Sequence, residues 1–262
     1  MASQDILQHF HRDEHDFVDK MEDLISRVEM SYTPLVTDFL NPRQLTIVKQ
    51  LASATNLLYY DSNSAYTFEY GRAIIAPDYY QFDKEDFELS LLEIRYNPKF
   101  NQLTHSQILG SCLHQLGIER HLIGDIIVGK GQAQVFMTKL VAEQALSTIT
   151  KIARAGVSLQ KIPLEERLIP KQTTKEMLIQ VSSLRLDKLI AATFKLSRLQ
   201  AGQLIEKSKV KLNYSPVAKT SEQVSVGDLI SVRGFGRFKI AASQGYTKSN
   251  REKLRIERYQ DH

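Results

Sequence analysis

Hydrophobic positions recur along this chain in three rhythms, and each change of rhythm marks a change of architecture. Over residues 4–30, Ile6, Phe10, Phe17, Met21, Leu24, Ile25 and Val28 form one stripe at helical spacing, with acidic residues over the rest of the surface. That pattern predicts one long amphipathic helix. Pro34 closes it, and Asn41-Pro42 predicts the start of a second helix reaching Leu51. Asp61–Ser64 reads as a loop. The rhythm then shortens. Ala73–Ala76 is a short apolar strand closed by Pro77-Asp78, and Phe87–Tyr96 alternates as a strand. Thr104 predicts the cap of a helix over 106–116, with Ile108, Leu109, Leu113 and Leu116 on one side and Gly117 as its stop. Gly124–Val128 and Gln132–Met137 predict a hairpin, Leu140–Arg154 a helix and Val157–Ile162 a last strand. This ββαββαβ-like order predicts helices packed on one face of an antiparallel sheet, as in ferredoxin-like folds.

The third rhythm runs from residue 184 to 240. Leu186, Leu189, Ile190 and Phe194 share one helical face, and Ser197 predicts the cap of a second helix with Leu199, Leu204 and Ile205 as its apolar stripe. Val210–Asn213 and Leu229–Val232 alternate as strands, with turns at Asn213–Pro216 and Gly227-Asp228. Their apolar faces can close a core of about fifty residues with the cations outside it. Farther on, Lys253, Arg255 and Arg258 alternate with Leu254, Ile256 and Tyr259, which suits a last strand with its cations outward.

Charge sharpens the division. Residues 1–74 carry six cations against eleven anions, residues 75–164 nine against nine, and residues 165–262 nineteen against ten. The net of +4 therefore hides an acidic front and a strongly basic end, the footprint of a nucleic-acid-binding module joined to something else. A single cysteine, Cys112, excludes an intrachain disulfide framework and fits a reducing cytoplasm. The polar, acidic N-terminus is no secretory signal, and no apolar run approaches the ~20 residues of a membrane span, so membrane insertion is not expected.

Candidate chemistry narrows the functions further. His11 and His15 stand four apart, but not in the order of the zinc-protease motif, and read as a solvated helix face. Cys112, His105, His114, His121 and Asp125 crowd one segment, yet Cys112 and His114 are two apart on a helix and point in different directions. Gly129-Lys130-Gly131 lacks the spacing and hydroxyl of a P-loop. The plainer reading has Cys112 half-buried and the histidines on the helix rim; an RNA contact through Arg120, His121 and Lys130 at the edge of the sheet is the lesser alternative. No catalytic residue, metal or cofactor is expected.

The segment RLDKLI…LSRLQAGQLIEKSKVKLN…VSVGDLISVRG resembles the RNA-binding domain named after ribosomal small-subunit protein S-four. Two positions depart from that pattern: Ser208 stands where a glycine commonly precedes the strand, and Tyr214 stands where Asn-Gly is usual. Residues 103–126, LTHSQILGSCLHQLGIERHLIGDI, and the later SVRGFGRFKI extend the likeness, and the whole chain resembles the YlmH family of Firmicutes. The likeness is weakest around residues 62–70, where the family carries a longer Gly- and Arg-rich turn. The resemblance implies an α+β protein. Residues 1–71 would form a mainly helical N-terminal region and 72–163 an RNA-recognition-like, ferredoxin-like middle domain. Residues 164–180 would be a linker, and 181–262 an S-four-type domain of two helices and a small β-element with a basic tail.

The RNA-binding side chains expected are Arg185, Lys188, Arg198, Lys207, Lys209 and Lys211, with Arg233, Arg237 and Lys239 as outer contacts. Nine phosphate contacts would give a log–log salt slope of about −6 to −8 if most form. Arg185-Leu186-Asp187 also resembles the segment around the catalytic aspartate of pseudouridine synthases. It lacks the preceding His and the following Thr-Ser-Gly, and no methyltransferase glycine fingerprint is present, so an rRNA-modifying enzyme is disfavoured. The family resemblance implies rRNA and tRNA as partners, on a large ribosomal subunit stranded with peptidyl-tRNA and undergoing quality control in the cytoplasm. A scaffold for cell-division proteins, docking through the acidic N-terminal helix, is the alternative.

Overall fold

The structure, a computed structural model, describes residues 7, 8, 10, 12–66, 68–169 and 174–259. The chain forms two compact units, one built on His15–Pro170 and the other on Lys171–Asp261. The helix expected over residues 4–30 is shorter: helix α1 spans His15–Ser31, with Val18, Met21, Ile25 and Val28 buried, and a 3-10 turn, Arg12–Glu14, precedes it; Gln4–Ile6, His9 and His11 lie outside the described residues. Helix α2, Pro42–Ser53, begins as expected at Asn41. The Asn41 side chain accepts from the Gln44 N–H while the Gln44 side chain accepts from the Asn41 N–H, a complete capping box.

The N-terminal region is less purely helical than its sequence suggests. Strands β1 (Leu35–Val36), β2 (Leu58–Asp61) and β3 (Ala73–Ala76) form a separate antiparallel sheet in the order β1-β3-β2. Strand β3, expected as the first strand of the middle domain, pairs with β1 and β2 and with nothing in the larger sheet. All four of its residues are buried. Arg72, also buried, locks it in place: Nε donates to the Thr37 carbonyl (2.7 Å) and Nη1 to the carbonyls of Phe87 (2.6 Å) and Glu88 (3.2 Å). Burial lowers the Arg72 pKa.

Without β3 the middle sheet has βαββαβ order. It comprises β4 (Leu89–Tyr96), helix α3 (His105–Leu116), β5 (Ile123–Val128), β6 (Gln132–Thr138), helix α4 (Lys139–Thr148), and the pair β7 (Lys151–Ile152) and β8 (Ala155–Ile162). Its spatial order is β5-β6-β4-β8-β7, antiparallel throughout. Those strands and helices have the ferredoxin-like arrangement expected. Helix α4 stops six residues short of the predicted Arg154, because Lys151 to Gly156 turns back as a hairpin. Period-two alternation divides the sheet: Leu92, Ile94, Val135 and Met137 face the two helices, whereas Leu91 and Phe136 face the other way. That second face is covered by the chain itself, through Phe39, Phe68, Tyr70, Leu164 and Leu168. Gln134 fastens the covering segment, donating to the Glu166 carbonyl (3.0 Å) and accepting from the Leu168 N–H (2.6 Å).

The second unit is a six-stranded antiparallel sheet with two helices on one face. Its elements are β9 (Thr174–Val181), helix α5 (Leu186–Phe194), helix α6 (Arg198–Glu206), β10 (Val210–Leu212), β11 (Ser215–Pro216), β12 (Leu229–Val232), β13 (Gly236–Tyr246) and β14 (Glu252–Tyr259), in the order β11-β10-β12-β13-β14-β9. The sequence 164–180 reads as a linker, and Pro170–Thr173 lie outside the described residues. Strand β9, however, pairs with β14 over all eight of its residues. Leu186, Leu189, Ile190, Ala201, Ile205, Ile230, Val232, Phe238, Ile240, Leu254 and Ile256 make the core. Leu199, expected in the α6 stripe, is instead 73% exposed, and Ala201 takes its place. With Ala201 buried, Leu199 lies two positions away, about 200° around a 3.6-residue helix, and so on the opposite side.

Candidate nucleic-acid interface

Helices α5 and α6 begin close together, and an aspartate sits between their first turns. Asp187, whose side chain is only 6% exposed, accepts from Arg185 Nε and Nη2 (both 3.0 Å), from Arg198 Nη2 (2.9 Å) and from the Lys188 N–H (2.9 Å). Ser197 caps α6 by accepting from the Gln200 N–H (3.1 Å), which sets where Arg198 enters the helix. Burial by itself would raise the Asp187 pKa, but hydrogen bonds from Arg185 and then Arg198 outweigh it and hold the carboxyl below the usual carboxylate range. The same pairing raises the Arg185 pKa. The result is two guanidiniums, 31% and 61% exposed, fixed edge to edge on one buried carboxylate. Lys188, third of this group, donates through Nζ to Ser182 Oγ (2.8 Å) and Ser183 Oγ (2.9 Å). A planar fork with donors left over, held in place beforehand, is what phosphate recognition requires.

The other expected cations fall into two further groups. Lys207 and Lys209 follow α6 and are exposed, and the Arg233 N–H donates to the Lys209 carbonyl (2.8 Å), bringing the β12–β13 turn beside them. Lys211, Arg237 and Lys239 alternate with core residues and so occupy the sheet face opposite the helices. Lys211 and Arg237 share a rung through Ser231, and Lys239 stands two residues farther, about 7 Å along the strand. Nine cations that look equivalent in sequence thus make three constellations on different parts of the unit. Arg258, expected to point outward with Lys253 and Arg255, is turned inward: its guanidinium lies 4.8 Å from the centre of the Phe194 ring. Leu254 and Ile256 are core residues, so period two puts Arg258 on their side.

The first unit offers less free chemistry than its sequence suggested. Arg120 stacks on the Tyr70 ring (4.5 Å) and also donates to the Ile123 carbonyl. His121 lies between Asp38 (3.5 Å) and Glu119 (3.3 Å). Asp125 accepts from the backbone N–H groups of Glu69 (2.8 Å) and Tyr70 (2.9 Å), and burial raises its pKa despite them. Glu69 and Tyr70 are thereby pinned to the middle sheet. Cys112 is buried, which pushes its thiol up to about 11, while His114 is exposed on another side of α3. Among the described residues no cluster of three or more His, Cys, Asp or Glu could hold a metal, and no helix is long and apolar enough to cross a membrane.

Sequence reasoning gave Asp187 no part in this arrangement. The signal was the Arg-Leu-Asp opening read together with Arg198, since one acid amid so many exposed cations is best explained as the residue that orients them.

Comparison with known proteins agrees with this division of the chain. Residues 83–166 match the family described as "Putative RNA-binding domain in YlmH", and residues 184–230 match the S4 domain. A Bacillus subtilis (strain 168) protein named ribosome-associated protein quality control protein P2 is 33% identical over 254 residues, covering 97% of this chain and 98% of the relative. A solved structure named cell division protein ylmH from Streptococcus pneumoniae is 40% identical, with a TM-score of 0.56, over 62% of this chain and 98% of that one. Similarity over nearly the whole length, with both domain matches in place, shows that the chain belongs to the YlmH family.

Proposed function

We propose that the chain is a non-catalytic, cytoplasmic RNA-binding protein that engages rRNA and tRNA on the large ribosomal subunit during quality control of stalled peptidyl-tRNA complexes. The observation that carries this reading is the arginine pair held by Asp187, at the helix entrances of the S4 match and within the segment of net charge +9. A buried acid that orients two exposed guanidiniums serves little purpose in a merely soluble surface, but it supplies a phosphate or base edge with donors that are already in position. The name of the Bacillus subtilis relative supports the ribosomal setting. The buried, protonated Cys112 and the backbone-bound Asp125 favour binding over catalysis.

The name of the Streptococcus pneumoniae structure, together with net charge −5 over residues 1–74, favours a second reading as a cell-division scaffold. Sucrose-gradient sedimentation of the tagged full chain, with and without ribonuclease, separates the two. Co-migration with free large subunits carrying tRNA, abolished by ribonuclease, supports the first reading. Migration at the top of the gradient with division proteins, unchanged by ribonuclease, overturns it.

A further inference from the structure

The β12–β13 turn, Arg233-Gly234-Phe235-Gly236, carries an aromatic ring at the surface of a basic domain, and nothing described so far uses it. Its backbone is built for that exposure. Gly234 has φ 87°, as the third position of a type II turn requires, and the Phe235 N–H closes the turn on the Val232 carbonyl (3.0 Å). Gly236 follows at φ 102°. Phe235 is 36% exposed, yet it is not loose: its ring meets Phe194 at 5.5 Å, and Phe194 in turn packs edge-on against the fully buried Phe238 at 5.6 Å. Arg258 secures both, lying over the Phe194 ring and donating from Nη2 to the Phe235 carbonyl (3.3 Å). Two cations adjoin the turn: Arg233 precedes Phe235 and is exposed, and the exposed Lys209 is tied to Arg233 through the backbone.

A hydrophobic ring needed only for the core would be better placed inside it. Here the ring leans at a tilt on an aromatic ladder running to the core, remains partly open to solvent, and sits in a turn that begins with a cation. A rigid aromatic with neighbouring cations is the arrangement that stacks an unpaired nucleobase while holding the flanking phosphates. An acidic peptide would use the cations but not the flat ring. A regular duplex would use neither fully, since its bases are already stacked.

We propose that this turn is an unpaired-base site: Phe235, backed by Phe194, stacks on one extruded or single-stranded nucleobase, and Arg233 with Lys209 holds the adjoining phosphates. The proposal rests on the RNA-binding reading above and adds the kind of RNA feature recognised. It makes the chain sensitive to a bulge, loop or strand end rather than to helical RNA alone.

The test compares two hairpin RNAs of equal length, one fully paired and one with a single bulged 2-aminopurine, titrated with the full chain. The wild type is expected to prefer the bulged RNA and to quench its fluorescence. Phe235→Leu keeps an apolar side chain against Phe194 but removes the flat ring, so it guards against simple misfolding. It is expected to lower affinity for the bulged RNA roughly ten-fold and abolish the quenching, since base–aromatic stacking is worth about 1–3 kcal/mol. Its affinity for the paired RNA should stay within about two-fold, and Phe235→Tyr should behave as wild type. Equal losses on both RNAs, or none on either, overturn the base site while leaving RNA binding intact. No binding of either RNA by the wild type overturns the base site and the RNA-binding reading together.

Discussion

Replacing Asp187 with asparagine isolates the role of the buried carboxylate, because the side chain keeps its size and changes only one oxygen and its charge. Oδ1 can still accept from Arg185 Nε and the Lys188 N–H, but an amide placed at Oδ2 would point its own donors at the Nη2 groups of Arg185 and Arg198. Two charge-assisted hydrogen bonds are lost, each worth about 1.5–3 kcal/mol when shielded. Arg198 is 61% exposed and recovers much of its loss by hydration, so the net cost should be about 2 kcal/mol. For a unit of this size that is a fall in Tm of roughly 10 °C. The loss should also vary with pH. The folded Asp187 pKa is depressed, so its contribution is present above the unfolded carboxylate value of about 3.9 and disappears as pH falls through the folded value. The stability difference between wild type and Asp187→Asn should therefore be constant near neutrality and close only below about pH 4. RNA affinity is the sharper readout. Removing a negative charge from a basic surface should tighten RNA binding if charge alone mattered. If the aspartate acts by orienting Arg185 and Arg198, binding should weaken, by about three- to ten-fold in a filter or anisotropy assay on large-subunit RNA. A folded Asp187→Asn protein that binds as tightly as wild type, or tighter, would refute the orienting role.

Three further outcomes follow from the packing. Arg72→Met leaves the carbonyls of Thr37, Phe87 and Glu88 without their buried donor and should cost about 3–5 kcal/mol in urea unfolding of the first unit; a loss below about 1 kcal/mol would mean those contacts are dispensable. Cys112, buried and protonated at neutral pH, should resist iodoacetamide in the native protein and react promptly in denaturant; rapid native labelling would contradict its placement. Ser208 follows α6 with φ 54°, so Ser208→Gly should raise stability by about 1 kcal/mol in thermal melts, whereas a fall would show that the Ser208 side chain does more than tolerate the turn.

The helices were legible wherever caps and stripes coincided: Asn41, Thr104 and Ser197 each start a helix with a capping box, and the buried positions of α1 and α5 keep their spacing. Strand partners were not legible. Ala73–Ala76 is apolar enough for either sheet, and what assigns it to the small one is Arg72, whose buried hydrogen bonds join residues far apart in sequence. Helix α4 was read too long because Lys151 to Gly156 contains no strong breaker before the hairpin turns back. The two departures from the S-four-type pattern proved to be backbone positions: Ser208 has φ 54°, and Asn213 and Tyr214 have φ 48° and 71°, where glycine would be less strained. In the candidate site, residue type was readable and grouping was not. Alternation sends Lys211, Arg237 and Lys239 to one sheet face and Arg258 to the other, and only the strand register reveals it.

That grouping changes the expected electrostatics. Lys211, Arg237 and Lys239 face away from the helices, so an RNA helix docked on the arginine pair should make four or five phosphate contacts rather than nine. The most direct measurement is the affinity of the full chain for large ribosomal subunits carrying peptidyl-tRNA across a range of salt, for wild type and Arg198→Ala. The expected log–log slope is about −3 to −5, and the variant should bind roughly ten-fold more weakly with a slope smaller by about one. Binding indifferent to salt, or a folded Arg198→Ala protein with unchanged affinity and slope, would contradict the claim that this basic unit grips RNA through the arginines that Asp187 holds.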